Sequence, residues 1–435
     1  MSTTQAQETV AVQPLSGSLK LLALPNVCVK IAMGAKILQR PEGWIVSFDG
    51  AMTRLHEQDL RTCQKVATKL RHKLPQGGEF SISTVLDLAG YAHKFLSEEI
   101  FFPDSVRVIY FPSVVKASAF YRCWIPAGAM ARGTRVAPHV SRDRIGREAL
   151  EYDVVVIQID SSPGAFQFAK ALKELGKKVV FEIDDAFDAL EPWHPQYDYY
   201  SSAEGKEQVR RMMGVADLVT VTTPFLKERY IDLARKIEVL PNFIPFHTWP
   251  VSARHATDEF RILWAGSPSH MGDFEVLDQA LFRFSERHPG TRLVFFGREP
   301  GGIHVAQEQL RYIPFCEFEE YPVKLAGVEA DVAIASLADI PFNWGKSNIK
   351  YLEYATAGYP VIASNVGPYA ASIKNGVNGF LCDAESHWLE ALEAMYQDRD
   401  LRRSIAVEGR LFAKEFDVDK NRVQIENVYA GLLGR

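Results

Sequence analysis

Lys346 stands just before an apparent helix start in the stretch FNWGKSNIKYLEYATAGYPVIAS (342–364), where Ser347 or Asn348 is placed to cap the helix. A positive side chain and the unpaired N–H groups of a first helical turn would converge there, an arrangement that seeks phosphate. Glu353 follows two turns later and is expected to share the Lys346 face while Ile349 and Leu352 pack inward. A carboxylate there suits acceptance of two hydrogen bonds from vicinal hydroxyls, as on a ribose. The plain alternative is a solvated helix face with an ordinary lysine and glutamate.

Two further places carry similar weight. In WAGSPSHMGDF (264–274), Gly266 and Ser267 follow a buried strand and precede a helix, so backbone amides would face an anion such as a diphosphate. The stretch contains neither G-x-G-x-x-G nor a Walker motif, so dinucleotide and P-loop readings fail on the residues. In the first half of the chain, KVVFEIDD (178–185) ends a strand in Asp184 and Asp185. Adjacent side chains of an extended chain flip faces, so one carboxylate is expected to serve catalysis or the acceptor and the other to be structural. Tyr121 and Arg122, at the start of a helix, are candidates to reach donor phosphate or acceptor; a packing tyrosine beside a surface arginine is the alternative. Trp193, with Tyr197, Tyr199 and Tyr200, lies in an aromatic loop fit to stack on a sugar or to serve as a lid.

Other chemistries find less support. His139, His194, His247 and His304 are isolated, with no second ligand or acid at i+3 or i+4. The five cysteines are odd in number, scattered and without a C-x-x-C pair, which fits a reducing cytosol. No metal site is expected. With 435 residues, 47% hydrophobic and 24% charged, the chain is of ordinary globular composition and long enough for two or three domains. A net charge of −5 without basic blocks disfavours nucleic acid, although a patch assembled in three dimensions stays open. No run approaches the roughly 18 apolar residues of a membrane span, and the N-terminus lacks a signal-peptide pattern. A cytoplasmic protein is expected, with peripheral membrane contact left open.

The elements that would position these residues divide the chain. Residues 1–18 are expected as a loose tail and 19–105 as a small accessory α/β domain, with an apolar stretch at 21–31, a hairpin-like WIVSFDG, and helices at about 52–74 and 84–96. From residue 106, strands and helices alternate, the pattern of parallel sheets covered on both faces. VRVIYF, VVVIQID, KVVFEIDD, ADLVTVTT and IEVLPN make one series (106–245), and 243–258 reads as a linker. FRILWAG, RLVFFG, RYIPF, ADVAIAS, YPVIAS and GFLC make the second (246–415), before a C-terminal helix (416–435). Two Rossmann-like lobes with a cleft between them follow, with ligands at the carboxyl ends of the strands.

The segment K-S-N-I-K-Y-L-E-Y-A-x-x-G-Y-P-V-I-A-S, followed by G-P-Y and N-G-V-N-G-F-L, resembles the donor lobe of retaining GT-B glycosyltransferases of glycosyltransferase family four. The likeness covers about 106–430 and is weaker in the first lobe, where it rests on A-F-Y-R, E-I-D-D, A-D-L-V-T-V-T-T and V-L-P-N. It implies a GT-B fold and a hexosyl transfer from a nucleoside-diphosphate sugar, a co-substrate rather than a cofactor, to an unidentified acceptor. A nucleotide-sugar epimerase or phosphorylase of the same fold, and a non-catalytic glycosyltransferase-like subunit, are the alternatives. Glu353 matches the second glutamate of the family's E-x7-E motif, which contacts the donor ribose. The first glutamate's position is Gly345, a departure that implies Lys346 and Asn348 take over its contacts. The usual arginine and lysine on the diphosphate are also missing from the 267–271 loop, so Gly266, Ser267, His270 and Lys346 are expected to share the task, with Arg298 a further candidate. The 312–317 loop is expected beside the nucleobase, and a metal at the Asp184–Asp185 pair is disfavoured because this fold neutralises diphosphate with protein cations and helix dipoles.

Overall fold

The computed structural model describes residues 36–40, 43–48, 51–55, 63–64, 67, 105–113, 117–133, 135–141, 146–253, 259–266, 272–297, 303–318 and 320–434. They fall into two compact units, Met1–Arg107 with Met130–Val140, and Val108–Ala129 with Ser141–Arg435.

In the first unit, strands β1 (Lys36–Arg40), β2 (Gly43–Phe48) and β3 (Ala51–Leu55) form an antiparallel meander. Strands β2 and β3 pair as the hairpin expected at WIVSFDG, with Phe48 opposite Ala51, while residues 49 and 50 lie outside the described residues. The helix expected from residue 52 does not start there: Met52 pairs with Ser47 and Leu55 with Trp44, so ladder pairing overrides the apolar spacing that suggested a helix. Cys63, Gln64 and Ala67 are helical, while positions 56–62, 65–66 and 68–74, the 21–31 stretch and the 84–96 helix lie outside the described residues. Strand β4 (Val106–Phe111) leads into the second unit, and β5 (Val136–Val140) belongs to the first.

The second unit holds both expected series. In its first lobe, β4 pairs in parallel with β6 (Val154–Gln158), followed in order by β7 (Lys178–Ile183), β8 (Leu218–Val221) and β9 (Ile237–Val239). Every residue of β6 and β8 is buried, which is why these strands read as unbroken apolar runs rather than alternating ones. Helices return each strand to the next. Two of them start with the hydroxyl of Ser162 or Thr223 accepting a backbone N–H, with proline in the first turn.

The second lobe has strands β10 (Phe260–Gly266), β11 (Thr291–Gly297), β12 (Leu310–Pro314), β13 (Val332–Ala335), β14 (Val361–Ser364) and β15 (Phe380–Cys382). All pair in parallel, in the order β12-β11-β10-β13-β14-β15. This is the doubly wound Rossmann order, which reverses between β10 and β13 and opens a crevice at their carboxyl ends. The stretch expected as a linker is packed: Phe243, Ile244 and Trp249 are buried, and Ile244 exchanges backbone hydrogen bonds with Phe416 and Val418. The closing helix, Arg422–Ala430, returns to the first lobe, where Tyr429 meets Tyr110 edge-on.

The lobes exchange aromatic residues. Phe342 of the second packs into the apolar core of the first, and Tyr121 of the first packs into the core of the second. Tyr121 lies in a π-helical turn, Phe120–Trp124, that widens the helix after β4 and carries both Tyr121 and Arg122 inward. Arg122 is 2% exposed. Its guanidinium makes a two-pronged pair with Glu182 (2.7 and 2.9 Å) and donates to Leu240 O and Asn242 Oδ1 (2.7 and 2.9 Å). Thr220 also donates to Glu182. Removing one partner of such a buried pair strands a charge at about 3–5 kcal/mol, whereas replacing both with apolar groups is far milder. Arg122→Met is therefore expected to lower unfolding stability by about 3–5 kcal/mol, and Arg122→Met/Glu182→Leu to recover part of that loss, as read from denaturant midpoints.

Candidate active site

A cavity of about 990 Å³ lies within the second unit, walled by strand ends from both lobes. The first lobe contributes residues 159–162 after β6 and Asp184 and Asp185 after β7; the second contributes Gly266, Gly297, the 315–318 loop, and Lys346, Ser347, Ile349, Lys350 and Glu353. The first-lobe wall thus carries Asp160, Asp184 and Asp185, and the second-lobe wall carries Lys346 and Lys350 with Glu317 and Glu353.

The second-lobe wall rests on two adjacent glycines. Gly266 and Gly297 pair in register at the tips of β10 and β11. A Cβ on Gly266 would lie 1.9 Å from the Trp264 ring, and one on Gly297, at φ +100°, would lie 2.5 Å from Gly266 O. Only glycine allows this close approach. Past them, Phe315, Cys316 and Glu317 line the cavity, where a base-side loop was expected. The helix Ile349–Thr356 begins at Asn348 with no side-chain cap, leaving first-turn amides without partners inside the helix. Asn348 instead donates to Ser372 Oγ at 2.9 Å and is absent from the cavity wall. Ser347 lines the wall, and its hydroxyl accepts from Asn242 Nδ2 at 2.8 Å. Lys346 is 9% exposed, with its ammonium 4.4 Å from the Phe342 ring centroid and its charge felt by Asp185.

The helix is not the half-solvated one its spacing suggests: residues 350–356 are all buried. Glu353, 8% exposed, lines the cavity with both carboxylate oxygens engaged, one by Tyr121 of the first lobe at 2.6 Å and one by Tyr321 at 3.1 Å. Burial pushes its carboxyl up to about 7, against the opposing pull of the two tyrosine hydroxyls and Lys350. Gly345 explains its own departure. A Cβ there would stand 2.9 Å from Ala186 Cβ and 3.0 Å from Leu226 Cδ2 of the first lobe, leaving no room for a glutamate.

On the first-lobe wall, Asp184 and Asp185 both line the cavity. The expectation that one must turn away assumed an extended chain, but β7 ends at Ile183 and the strict alternation ends with it. Burial, with Asp185 and Glu182 nearby, raises the Asp184 carboxyl to about 8, and its Oδ1 has no hydrogen-bond partner among the described residues. Burial also raises Asp185, opposed by the Lys346 ammonium. Ile159, just after β6, has φ 61°, a strained value for a β-branched residue, and turns the chain so that 159–162 face the cavity.

Of the other expected residues, Tyr121 reaches the cavity, whereas Arg122 is neither a surface arginine nor a cavity residue; it is used up below by Glu182 and Asn242. Trp193 is 52% exposed and lies outside the wall, its ring 3.1 Å from where a Gly272 Cβ would be. Its neighbours His194, Gln196, Tyr199 and Tyr200 line the cavity in its place. Ser267, His270 and Arg298 lie outside the described residues. Sequence reasoning missed Tyr321, Asn242 and Lys350; for Lys350 the signal was present, a second charged residue beside Glu353 in the mostly apolar run IKYLEYA. Among the described residues, one group, His247, Asp417 and Asp419, is close enough to hold a metal ion, and none of the three lines the cavity. No helix among them is long and apolar enough to cross a membrane.

Comparison with known proteins fits this geometry. Residues 259–398 match the family model for glycosyl transferases group 1. The chain is 26% identical over 156 residues to glycogen synthase of Mycobacterium tuberculosis (34% of this chain, 36% of the relative). It is 27% identical over 195 residues to D-inositol 3-phosphate glycosyltransferase of Pseudarthrobacter chlorophenolicus (41% and 46%). The matches thus span less than half the length of these curated relatives. Among solved structures, Anabaena HepE in complex with UDP-glucose superposes with TM-score 0.54 at 16% identity, covering 75% of this chain and 99% of that one. Sucrose-phosphate synthase from Thermosynechococcus elongatus gives TM-score 0.53 at 14% identity, covering 76% and 99%. The fold is GT-B.

The raised Asp184 carboxyl has a consequence for stability. Its folded value lies above the unfolded one, so the native state holds the proton more tightly and loses stability as pH rises from about 4 to about 8. Asp184→Asn lacks that loss. Its melting temperature relative to the parent is expected to rise steadily from pH 5 to pH 8.5 in differential scanning fluorimetry; a pH-independent difference would contradict this environment for Asp184.

Proposed function

We propose that this protein is a glycosyltransferase that moves a hexose-type sugar, with retention of anomeric configuration, from a nucleoside-diphosphate sugar held by the second lobe to a hydroxyl held by the first. The observation that carries the reading is the polarity of this cavity: Lys346 and uncapped helix amides on one wall face Asp184 and Asp185 on the other. The group 1 domain at 259–398 and the GT-B fold support the donor assignment, as does the UDP-glucose bound by the similarly folded HepE. The likeness of the 346–364 segment to retaining enzymes supports retention.

In this reading the bond between the sugar's anomeric carbon and the diphosphate breaks and one to the acceptor oxygen forms. Negative charge grows on the leaving diphosphate, where Lys346 and the free amides of the Ile349–Thr356 helix stabilise it in a site shielded from water. Glu353 accepts from the donor ribose on the lone pairs that Tyr121 and Tyr321 leave unused. Asp185, kept nearer to ionisation by Lys346, orients the acceptor hydroxyl and takes its proton as the new bond to the anomeric carbon forms. Protein cations and helix amides, rather than a metal ion, neutralise the diphosphate, and the acceptor is a hydroxyl compound that reaches the Asp184–Asp185 wall.

Purified protein incubated with UDP-, GDP- and ADP-sugars and a panel of glycan and polyol acceptors is expected to release the nucleoside diphosphate. Lys346→Ala is expected to lower that turnover by roughly 10² or more, the usual effect of losing one electrostatic stabiliser of the transition state. A loss below about threefold, in protein of unchanged melting temperature, would remove Lys346 from the chemistry.

A further inference from the structure

Lys350 is buried without a hydrogen-bond partner among the described residues. It lies four residues beyond Lys346, in the first turn of the Ile349–Thr356 helix, is 8% exposed, and lines the cavity. Its ammonium has no hydrogen-bond partner among the described residues and lies 5.2 Å from the Trp264 ring centroid, beside the strand that ends at Gly266. The charged groups around it are Asp273, Lys346 and Glu353. None of them hydrogen-bonds it: Asp273 Oδ1 accepts from Ala338 N and Asn343 Nδ2, and Glu353 accepts from its two tyrosines. Burying an unpaired ammonium is costly, and so is placing it near a second one. Such an arrangement is sustained where an anion with at least two charges completes it.

We propose that Lys350 is a second diphosphate cation: with Lys346 it forms a two-lysine grip on the donor's phosphates, standing in for the basic residues absent from the loop after β10. The inference rests on the donor reading above. Burial, more than the neighbouring Lys346, lowers the Lys350 ammonium to about 8, with Asp273 and Glu353 opposing, so the free protein is expected to lose its grip as pH rises past that value. Bound phosphate favours the protonated form, which makes affinity and protonation linked.

The test compares binding of UDP, GDP, ADP and their parent nucleosides to wild type, Lys350→Met and Lys350→Arg by calorimetry at pH 7 and pH 9. Wild type is expected to bind one of the diphosphates more weakly at pH 9 than at pH 7. Lys350→Met is expected to bind it at least about tenfold more weakly at pH 7, with nucleoside affinity unchanged. Lys350→Arg is expected to keep the affinity and lose the pH dependence. Because the methionine variant deletes an unpaired buried charge, its melting temperature should equal or exceed that of wild type. A Lys350→Met protein that binds the diphosphate within twofold of wild type would overturn the inference and leave the donor reading intact. A wild-type protein that binds none of the three diphosphates would overturn both.

Discussion

A parallel sheet buried on both faces can present polar groups only where its strands stop, and that constraint shapes this molecule. Both lobes are built from such sheets, so the ends of β6, β7, β10, β11 and β12 are the places where chemistry is accessible, and all of them border one cavity. Burial there moves several charged groups from their ordinary state. Asp184 and Glu353 are raised and Lys350 is lowered, in each case chiefly by burial. Perturbed titration of this kind clusters at functional sites. Arg122 shows the contrast: equally buried, it is fully paired, and it serves the scaffold.

That scaffold joins the lobes through polar and aromatic contacts together. From Glu182 on β7 the hydrogen-bond chain runs through Arg122 and Asn242 to Ser347, next to Lys346. A second connection runs from Tyr121 to Glu353, with Phe120 stacked on Phe318 at 4.4 Å. The residues proposed to hold the donor are thus positioned by groups of the opposite lobe. Gly345 belongs to the same arrangement, because its lack of a side chain lets the helix start approach Ala186 and Leu226 closely. What looks in sequence like a missing carboxylate is in space a close contact, and Asp184 and Asp185 bring carboxylates to the cavity from across it.

Much of this was legible beforehand. The unbroken apolar runs located eleven strands of the second unit, and the terminal Gly266, Asp184, Asp185, Lys346 and Glu353 all reach the cavity that the two-lobed reading required. The illegible part is long-range. Nothing local links Arg122 to Glu182, 60 positions away, or Tyr121 to Glu353, 232 away, since such pairs are decided by how sheets and helices stack. Local rules also misled where tertiary structure overrode them: helical spacing at residue 52 yielded to strand pairing, and the amphipathic look of IKYLEYA gave way to burial on every side. Lys350 was overlooked for that reason, as a lysine on a helix is ordinarily solvated.

The central claim is that a cationic, amide-lined wall in the second lobe receives a diphosphate while Glu353 meets the sugar next to it. A crystal structure of the protein soaked with UDP, GDP or ADP tests it most directly. The account predicts diphosphate density within hydrogen-bond distance of Lys346 and of the amides that open the Ile349–Thr356 helix, with the ribose against Glu353. A nucleotide seated elsewhere, or one entering with its phosphates toward Asp184 and Asp185, would contradict it.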